Sequence, residues 1–434
     1  MANGTRDNMR GMKAPEPRKP SEAIINIGAL LTLDSHIGSG TLGAVERGAL
    51  VFSGDRILFA GPQALLPGEI DLADVESVLD AGGRVALPGL IDCHTHLVFA
   101  GSRAGEFSAR IAGASYEEIL AAGGGIHSTV EATRKASENE LLGLARKRLD
   151  RFLSFGVTTV EAKSGYGLDL ENELKILRVA RSLRERHAVD VISTFLGAHT
   201  VPRPFQSRRE EYLRLLIDEM LPRVSSEKLA VSCDVFCERG AFSLDETRRI
   251  LEAGRRLGLP ARLHAEQLSH SGSIPLAVEL SALSVDHLEF AEPEDARLLA
   301  GSRTVAVLLP AATLFAGKTR YAPGRMLCDA GCAVAVSTDF NPGSSHTQNL
   351  PMALALACLG CGLTMEEALR GATSNAAAAL GLSSDRGSLA PGRRADVLLL
   401  DTGDWRDLMY SFGANLTWRV YKNGRPVFPS PGAA

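Results

Sequence analysis

Short apolar runs broken by turn residues occupy both ends of the chain. Between Ala23 and Ala86 such runs precede turns, as Ala49–Ser53 precedes Gly54. Near the C-terminus the same pattern returns, with Thr417–Tyr421 ahead of the pair Asn423-Gly424. Runs of this length bounded by Gly and Asn predict short strands joined by tight turns. We therefore expect one small β-sandwich domain built from residues 22–84 and 385–434.

Strand-like runs alternate with amphipathic helical segments through the middle of the chain. This alternation predicts βα units and a parallel sheet. Eight repeats over about 290 residues match a (β/α)8 barrel, a TIM-like α/β fold with active sites at the C-terminal strand ends. A doubly wound open sheet is the alternative, but polar residues follow nearly every strand, as a closed ring requires. The predicted strands are Val85–Asp92, Val157–Glu161, Val191–Leu196, Val231–Phe236, Ala261–Ala265, Ser284–Leu288, Thr304–Leu309 and Ala333–Thr338.

Composition narrows the class of protein. The chain has 434 residues, of which 45% are hydrophobic and 23% charged, as in an ordinary folded protein. A net charge of −4 gives no basic footprint for nucleic acid or an acidic membrane surface. No apolar run reaches the roughly 18–20 residues that span a bilayer. Residues 1–21 are polar and lack the apolar core of a signal peptide, so we expect a disordered tail and a cytoplasmic protein. The barrel is expected over residues 85–384.

Two histidines and one aspartate follow the first and last predicted barrel strands. His94 and His96 share one face, because residues i and i+2 of a strand point the same way. Asp339 follows strand eight. Imidazoles joined by a carboxylate form a catalytic rather than a structural metal set. More histidines at strand ends favour a metal-dependent hydrolase over polar residues that merely end strands. These are His199, His264 and His287.

The order of these residues resembles the amidohydrolase superfamily, in which a His-x-His, two later histidines and an aspartate lie on a barrel flanked by a β-sandwich. In members with two metals, a carboxylated Lys or a Glu from the middle strands bridges them. Strand four here ends at Glu238 without a Lys, so we expect one Zn²⁺ or Fe³⁺ ion per chain. Lys163 and Glu238 keep a second site open. The metal ligands that the resemblance implies are His94, His96, His264 and Asp339.

Several local stretches are similar to the imidazolonepropionase family within this superfamily. They are His94–Arg103, Gly123–Ile126, Glu161–Leu168, Phe195–His199, His264–Gln267 and Ser337–Ser344. The resemblance implies hydrolysis of the cyclic amide C–N bond of 4-imidazolone-5-propanoate to N-formimidoyl-L-glutamate in histidine degradation. It also implies contacts to substrate or product from Arg103, Tyr116, Tyr166, His199, Gln267, Asn341, Gly343 and Ser344.

A mechanism follows from this set of residues. A metal-bound water would have a pKa near 7, and Asp339 would accept its proton and deliver it to the leaving nitrogen. His287 would hydrogen-bond the water or the developing oxyanion, and Arg103 would bind the substrate carboxylate. Some relatives have Glu where Gln267 stands. Because Gln cannot take a proton, the identity of the general base stays open, with Glu266 as a substitute candidate.

Two other functions remain possible from the sequence. A metal-dependent deaminase usually needs a Glu three residues after the strand-five histidine, so Gln267 weakens that alternative and Arg103 favours an anionic substrate. A non-catalytic scaffold would have lost ligands, yet all four are present. The segment Gly123–Gly125 predicts a flexible loop over the barrel mouth, because no phosphate-loop motif follows it. A homodimer is the expectation from related barrels.

Overall fold

Both ends of the chain contribute to one mixed, eight-stranded sheet in a computed structural model that describes residues 19–115, 118–119 and 122–429. Numbered along the chain, its strands are β1 (Glu22–Leu31), β2 (Ala44–Ser53), β3 (Arg56–Pro62), β4 (Ser77–Asp80), β5 (Val85–Pro88), β14 (Val397–Leu400), β15 (Thr417–Lys422) and β16 (Arg425–Phe428). They pair in the order β16-β15-β14-β5-β1-β2-β3, with β4 beside β1. Strand β5 joins the two ends of the chain, since Val85 pairs with Ala29 and Pro88 with Val397. The predicted sheet from both termini is therefore confirmed.

Eight parallel strands form a nearly closed barrel in strict chain order. They are β6 (Leu90–Asp92), β7 (Val157–Lys163), β8 (Asp190–Ala198), β9 (Ser232–Phe236), β10 (Ala261–Ala265), β11 (Ser284–His287), β12 (Val305–Leu308) and β13 (Val334–Val336). A bridge between Thr95 and Phe340 joins the first and last strands, and the His96 amide donates to the Phe340 carbonyl at 2.8 Å. The predicted (β/α)8 barrel is confirmed, and the doubly wound open sheet is wrong.

The first predicted barrel strand, Val85–Asp92, is in fact two strands. Residues Val85–Pro88 belong to the terminal sheet and Leu90–Asp92 to the barrel. The break falls at Gly89, where a Cβ would meet the Thr158 side chain at 2.3 Å. Both segments are fully buried, so the sequence shows one continuous apolar run and hides the change of sheet. The domain boundaries given above stay predictions.

Helices cover the outside of the barrel and turn apolar stripes inward. In the helix Glu138–Ser154 the buried positions include Leu141, Ala145, Leu149 and Phe152, the spacing of one helical face. The α-helices are Ala104–Ile111, Ile126–Lys135, Glu138–Ser154, Leu170–Arg186, Arg209–Arg214, Leu221–Ser226, Leu244–Arg256, Ser273–Glu279, Pro293–Ala300, Pro310–Phe315, Gly324–Asp329, Leu350–Cys361, Met365–Gly371, Ser374–Ala379 and Asp407–Tyr410; Leu215–Met220 is π-helical, and Gln63–Gly68, Leu72–Asp74 and Arg203–Phe205 are 3₁₀ turns. Among the described residues, none of these helices combines the length and apolar character needed to cross a membrane.

Candidate active site

Three histidines and an aspartate converge at the C-terminal end of the barrel. The rings of His94 and His264 lie 4.6 Å apart between centroids, and those of His94 and His96 lie 5.6 Å apart. Asp339 Oδ1 lies 3.5 Å from Nε2 of His94 and 3.7 Å from Nε2 of His96. One nitrogen from each of the three histidines falls within 4.8 Å of the others, as do ligand atoms of His94, His287 and Asp339. The four residues predicted as metal ligands are therefore brought together.

The imidazoles of this cluster fit a metal ion. Nε2 of His94 and Nε2 of His264 are buried and have no hydrogen-bond partner within the described residues. Leaving a buried polar atom unpaired costs free energy. Burial lowers the pKa of His94, His96 and His264, which keeps the rings neutral and their lone pairs free. Neutral imidazoles beside a carboxylate are the donors that zinc and iron prefer.

Carboxylates behind the cluster fix two of its rings. Asp286 Oδ2 lies 2.6 Å from Nδ1 of His94, and Asp234 Oδ1 lies 3.1 Å from Nδ1 of His264. These contacts place the proton of each ring on Nδ1, so that Nε2 faces the cluster as an acceptor. Sequence reasoning missed both aspartates. The available signal was a carboxylate within a buried strand, since such a charge is almost always paired.

Lys163 binds the carboxylates beneath the histidines. Its Nζ donates to Asp234 Oδ2 at 2.6 Å, Glu161 Oε1 at 3.0 Å and Asp286 Oδ2 at 3.4 Å. Although burial and Arg262 oppose the charge, the three carboxylates hold the pKa of Lys163 above its ordinary value. A protonated lysine has three donors and no lone pair, and here all three donors are used.

The buried Arg262 completes this charged layer. Its Nε lies 3.1 Å from Glu161 Oε1, and its Nη2 lies 3.2 Å from Asp286 Oδ2. Its guanidinium also donates to the carbonyls of Cys93 and Ala379, at 2.8 and 2.5 Å. The layer of two cations and three carboxylates thus carries one net negative charge directly below the histidines. Such a charge favours a cation at the cluster.

His287 and Asp339 both adopt the left-handed backbone region, with φ of 90° and 52°. Non-glycine residues with such φ values cost free energy and are concentrated at functional sites. Burial raises the pKa of Asp339 to about 7. Burial alone would lower the pKa of His287, but Glu289, whose Oε1 lies 3.8 Å from Nδ1, and the nearby aspartates raise it. Two groups with raised pKa values, both able to carry a proton, therefore lie within 4.8 Å of each other.

Tyr166 and His199 form an aromatic wall beside the cluster. The His199 ring stacks on His96 with centroids 5.0 Å apart, and the Tyr166 ring lies 5.4 Å from His199. Burial lowers the pKa of His199 to about 3 and raises the pKa of Tyr166, so both side chains are neutral at pH 7. The Tyr166 hydroxyl is thus a neutral donor, and His199 Nε2 is a neutral acceptor, because His199 Nδ1 donates to the Gly165 carbonyl at 3.1 Å.

The Asn341–Ser344 turn borders Asp339. Asn341 Oδ1 accepts from the amides of Gly343 and Ser344 at 2.7 and 2.8 Å, and its Nδ2 donates to the Asp339 carbonyl at 2.7 Å. The Asn341 side chain therefore stabilises the turn. Ser344 Oγ lies 3.3 Å from Asp339 Oδ2, next to the cluster.

Arg103 lies across the same turn. Its Nε and Nη2 both donate to Glu106 Oε2 at 2.8 Å. A Cβ on Gly343 would lie only 2.1 Å from Nη1 of Arg103, so the guanidinium packs directly on that glycine. Each side chain of the pair is about one fifth exposed, which is less than for a solvent-exposed rim pair.

Glu266 is fixed to the loop that follows β10. Its carboxylate accepts from the amides of Ser271 at 2.5 Å and Ser273 at 2.8 Å, and from both hydroxyls at 3.1 and 2.8 Å. With four donors already bound, it anchors the loop, and its role as a substitute base stays a prediction. Glu238 anchors the same loop through the Leu268 amide at 2.8 Å. Gln267 is half-buried in this loop, and Tyr116 lies outside the described residues.

Comparisons with known proteins agree with this geometry. The sequence profile of the amidohydrolase family matches residues 85–427. An imidazolonepropionase of Geobacillus kaustophilus is 48% identical over 388 residues, covering 89% of this chain and 91% of the relative. One of Rubrobacter xylanophilus is 50% identical over 390 residues, covering 89% and 92%.

Solved structures share the fold at lower identity. An adenosine deaminase from Xanthomonas campestris with bound zinc superposes with a TM-score of 0.71 at 17% identity, covering 94% of this chain and 93% of that one. A mutant atrazine chlorohydrolase from Arthrobacter aurescens, complexed with zinc and atraton, gives 0.69 at 18% identity, covering 94% and 97%. Likeness at this level supports the architecture of barrel and terminal sheet.

Proposed function

This chain belongs to the amidohydrolase family and, within it, to the imidazolonepropionases, and from that premise we propose how its barrel site carries out the family reaction. The protein is a hydrolase that acts on a carbon–nitrogen bond of a small cyclic amide, 4-imidazolone-5-propanoate, in histidine degradation. The observation that supports assigning the reaction to this site is the buried cluster of His94, His96, His264 and Asp339, in which imidazole nitrogens have no hydrogen-bond partner among the residues that the structure describes.

The cluster would hold one metal ion, Zn²⁺ or Fe³⁺, through His94, His96, His264 and Asp339. When bound, such an ion supplies a Lewis acid that lowers the pKa of water from about 15.7 to about 7. The choice of one metal rests on Lys163, whose three donors are all bound to carboxylates.

Glu238, the second candidate for a bridging ligand, is committed elsewhere. Its carboxylate accepts from the amides of Arg239 and Leu268, both at 2.8 Å. Neither Lys163 nor Glu238 therefore has a free ligand atom directed at a second ion. We infer that Lys163 and Arg262 provide the positive charge beside the buried carboxylates that a second metal ion would otherwise provide.

Proton transfer is assigned to Asp339 and His287. With a pKa near neutrality when no metal is bound, Asp339 can accept a proton from the attacking water and return it to the ring nitrogen as the C–N bond breaks. His287, whose pKa is raised by Glu289, can donate a hydrogen bond to the oxygen on which negative charge develops. Gln267 can only hydrogen-bond the substrate, because an amide does not take up a proton.

Substrate binding is assigned to the residues around the turn and the aromatic wall. Arg103 would bind the propanoate, because a guanidinium matches a carboxylate with two parallel hydrogen bonds. Tyr166 would donate to the ring and His199 Nε2 would accept from it, and Ser344 and Gly343 would line its edge. Tyr116 stays a prediction from the resemblance.

A direct assay tests this function against its nearest rival. Purified protein incubated with 4-imidazolone-5-propanoate should yield N-formimidoyl-L-glutamate, identified by mass spectrometry. Parallel incubations with adenosine and cytosine should release no ammonia, since Gln267 cannot protonate their rings. Deamination of either compound without turnover of the imidazolone would overturn the proposal and favour the deaminase function. A homodimer and a cytoplasmic location are further proposals, to be tested by light scattering and cell fractionation.

A further inference from the structure

The ion pair between Arg103 and Glu106 is enclosed by glycines on both sides. On one side a Cβ at Gly343 would lie 2.1 Å from Nη1 of Arg103. On the other side a Cβ at Gly124 would lie 3.0 Å from Cδ of Glu106. Ser128 Oγ donates to the second carboxylate oxygen, Oε1, at 3.1 Å. Both partners are thus held by close backbone approach that other residues would prevent.

Glu106 uses only one edge of the guanidinium. Both Nε and Nη2 of Arg103 donate to the same oxygen, Oε2. A guanidinium has five N–H groups and can bind carboxylates along two edges. The second edge, formed by Nη1 and the remaining proton of Nη2, binds no carboxylate within the described residues. Arg103 also acts electrostatically on the Tyr166 hydroxyl, which places its charge at the substrate wall.

From this arrangement we propose that Glu106 is a positioning residue, which orients Arg103 so that the Nη1/Nη2 edge meets the substrate carboxylate. The inference rests on the proposed function, because it takes the propanoate as the group that Arg103 binds. Glu106 is expected to remain paired when substrate is bound, since the two carboxylates use different edges of the guanidinium. Without Glu106, Arg103 would keep its charge but lose its fixed plane, and a misplacement of about 1 Å is costly to binding geometry.

The test compares Glu106 with a matched pair elsewhere in the chain. Arg208 and Glu211 form an Arg–Glu pair of the same i,i+3 spacing at 3.0 Å, but about half of each side chain is exposed. Glu106→Ala should raise KM for 4-imidazolone-5-propanoate about 10- to 100-fold while kcat changes less than about threefold. The KM of Glu106→Gln should lie between those of the wild type and Glu106→Ala, because an amide oxygen keeps the hydrogen bonds without the charge. Glu211→Ala should leave both constants unchanged.

Two inhibitors report on the carboxylate alone. In the wild-type protein, 3-(imidazol-4-yl)propanoate should bind more tightly than 4-methylimidazole, which lacks the carboxylate. Glu106→Ala should remove most of that preference and leave the affinity for 4-methylimidazole unchanged. In an Arg103→Ala background the same substitution should have no further effect on KM.

The Arg103 guanidinium can also be displaced by a substitution that leaves Glu106 in place. Gly343→Ala should push Nη1 away and raise KM as Glu106→Ala does. Gly105→Ala is the matched control, because its Cβ would meet nothing within 4 Å. Thermal unfolding of each variant reports whether it has folded.

Three results would overturn the inference. One is an unchanged KM in folded Glu106→Ala, and another is an equal loss for both inhibitors. A lower KM would show that Glu106 competes with the substrate for Arg103. If the wild-type protein does not hydrolyse the imidazolone, the proposed function fails instead. Calorimetric titration with the two inhibitors still compares the variants in that case.

Discussion

The carboxylate of Asp286 lies 2.6 Å from Nδ1 of His94, on the side of the ring away from the cluster. Asp234 stands in the same relation to His264. Through these contacts the orientation of two ligand rings is determined one layer below the site, by strands β9 and β11. Lys163 contacts both aspartates and so couples the two rings.

Loss of one supporting aspartate should weaken metal binding. Asp234→Asn keeps the shape but removes the charge that holds His264 and Lys163. Such outer contacts typically contribute 10- to 100-fold, so we expect about that loss in zinc affinity, measured by competition with a fluorescent chelator. Asp329→Asn, whose side chain is 67% exposed, is the control and should bind zinc as the wild type does. An affinity within about twofold of wild type for Asp234→Asn would refute the role.

Asp339→Asn should abolish turnover while the fold survives. The amide has the same shape, but it cannot accept a proton and is a poorer ligand than a carboxylate. A lost general acid/base costs about 10²- to 10⁴-fold in rate. The measurement is single-substrate kinetics with metal content and circular dichroism on the same sample. A variant that retains more than about a tenth of the rate with metal bound would show that another group handles the proton.

Arg103→Ala should reduce kcat/KM strongly. Truncating one partner of a partly enclosed ion pair costs about 2–5 kcal/mol, or about 30-fold to several thousand-fold at 1.4 kcal/mol per decade. Arg103→Lys should recover only part, because an ammonium does not provide two parallel donors. If the loss in Arg103→Ala is less than about fivefold, the carboxylate is bound elsewhere, since a solvent-exposed pair contributes under about 1 kcal/mol.

The sequence predicts the residues that contact the metal better than those that orient them. His94 and His96 follow the first barrel strand and Asp339 follows the last, and the family resemblance adds His264 to this set. Asp234 and Asp286 lie within strands, and nothing local tells which neighbouring strand pairs their charge. Register alone does not supply that information either, because Asp286 lies beside His264 in adjacent strands, yet its carboxylate reaches His94.

Glu266 and the strand Val85–Asp92 show two further limits. The motif His264–Gln267 places Glu266 beside a ligand, yet its φ of 52° turns the carboxylate into the following loop. Backbone conformation of this kind has no signature in residue type. In the run Val85–Asp92, complete burial removes the alternation that would have revealed two sheets. The sequence therefore predicts elements well where burial is one-sided and poorly where it is complete.

Removal of the metal should be reversible and should require one equivalent for recovery. Dialysis against a chelator should abolish turnover and lower the midpoint of thermal unfolding, because unpaired imidazole nitrogens then stay buried in the folded state. Titration with zinc or iron should restore both properties at one ion per chain. Recovery that needs two equivalents, or elemental analysis that gives two ions per chain, would contradict the single-metal site inferred from the hydrogen bonds of Lys163.

Asp190 joins the base of the barrel to the terminal sheet, and its loss should destabilise the protein in a pH-dependent way. It begins β8 and accepts from Arg386 Nη1 at 2.5 Å and from Lys422 Nζ at 2.9 Å. Burial would raise the pKa of Asp190, but the two cations outweigh it and hold that pKa below its ordinary value. A depressed pKa in the folded state stabilises above the unfolded pKa of about 3.9 and ceases to do so as the pH falls through the folded value.

Asp190→Asn should therefore lower the free energy of unfolding by about 1–3 kcal/mol at pH 7, a range reduced for partial exposure. The difference from wild type should shrink as the pH falls below about 4, because both proteins then carry a neutral group at this position. Urea denaturation of both proteins at pH 7 and at steps down to pH 3 measures it. Asp401 pairs with Arg84, and the Asp401 side chain is 61% exposed. As a control, Asp401→Asn should change the free energy of unfolding by under about 1 kcal/mol. A loss for Asp190→Asn that stays constant with pH would mean that packing, not charge, connects the barrel to the terminal sheet at this residue.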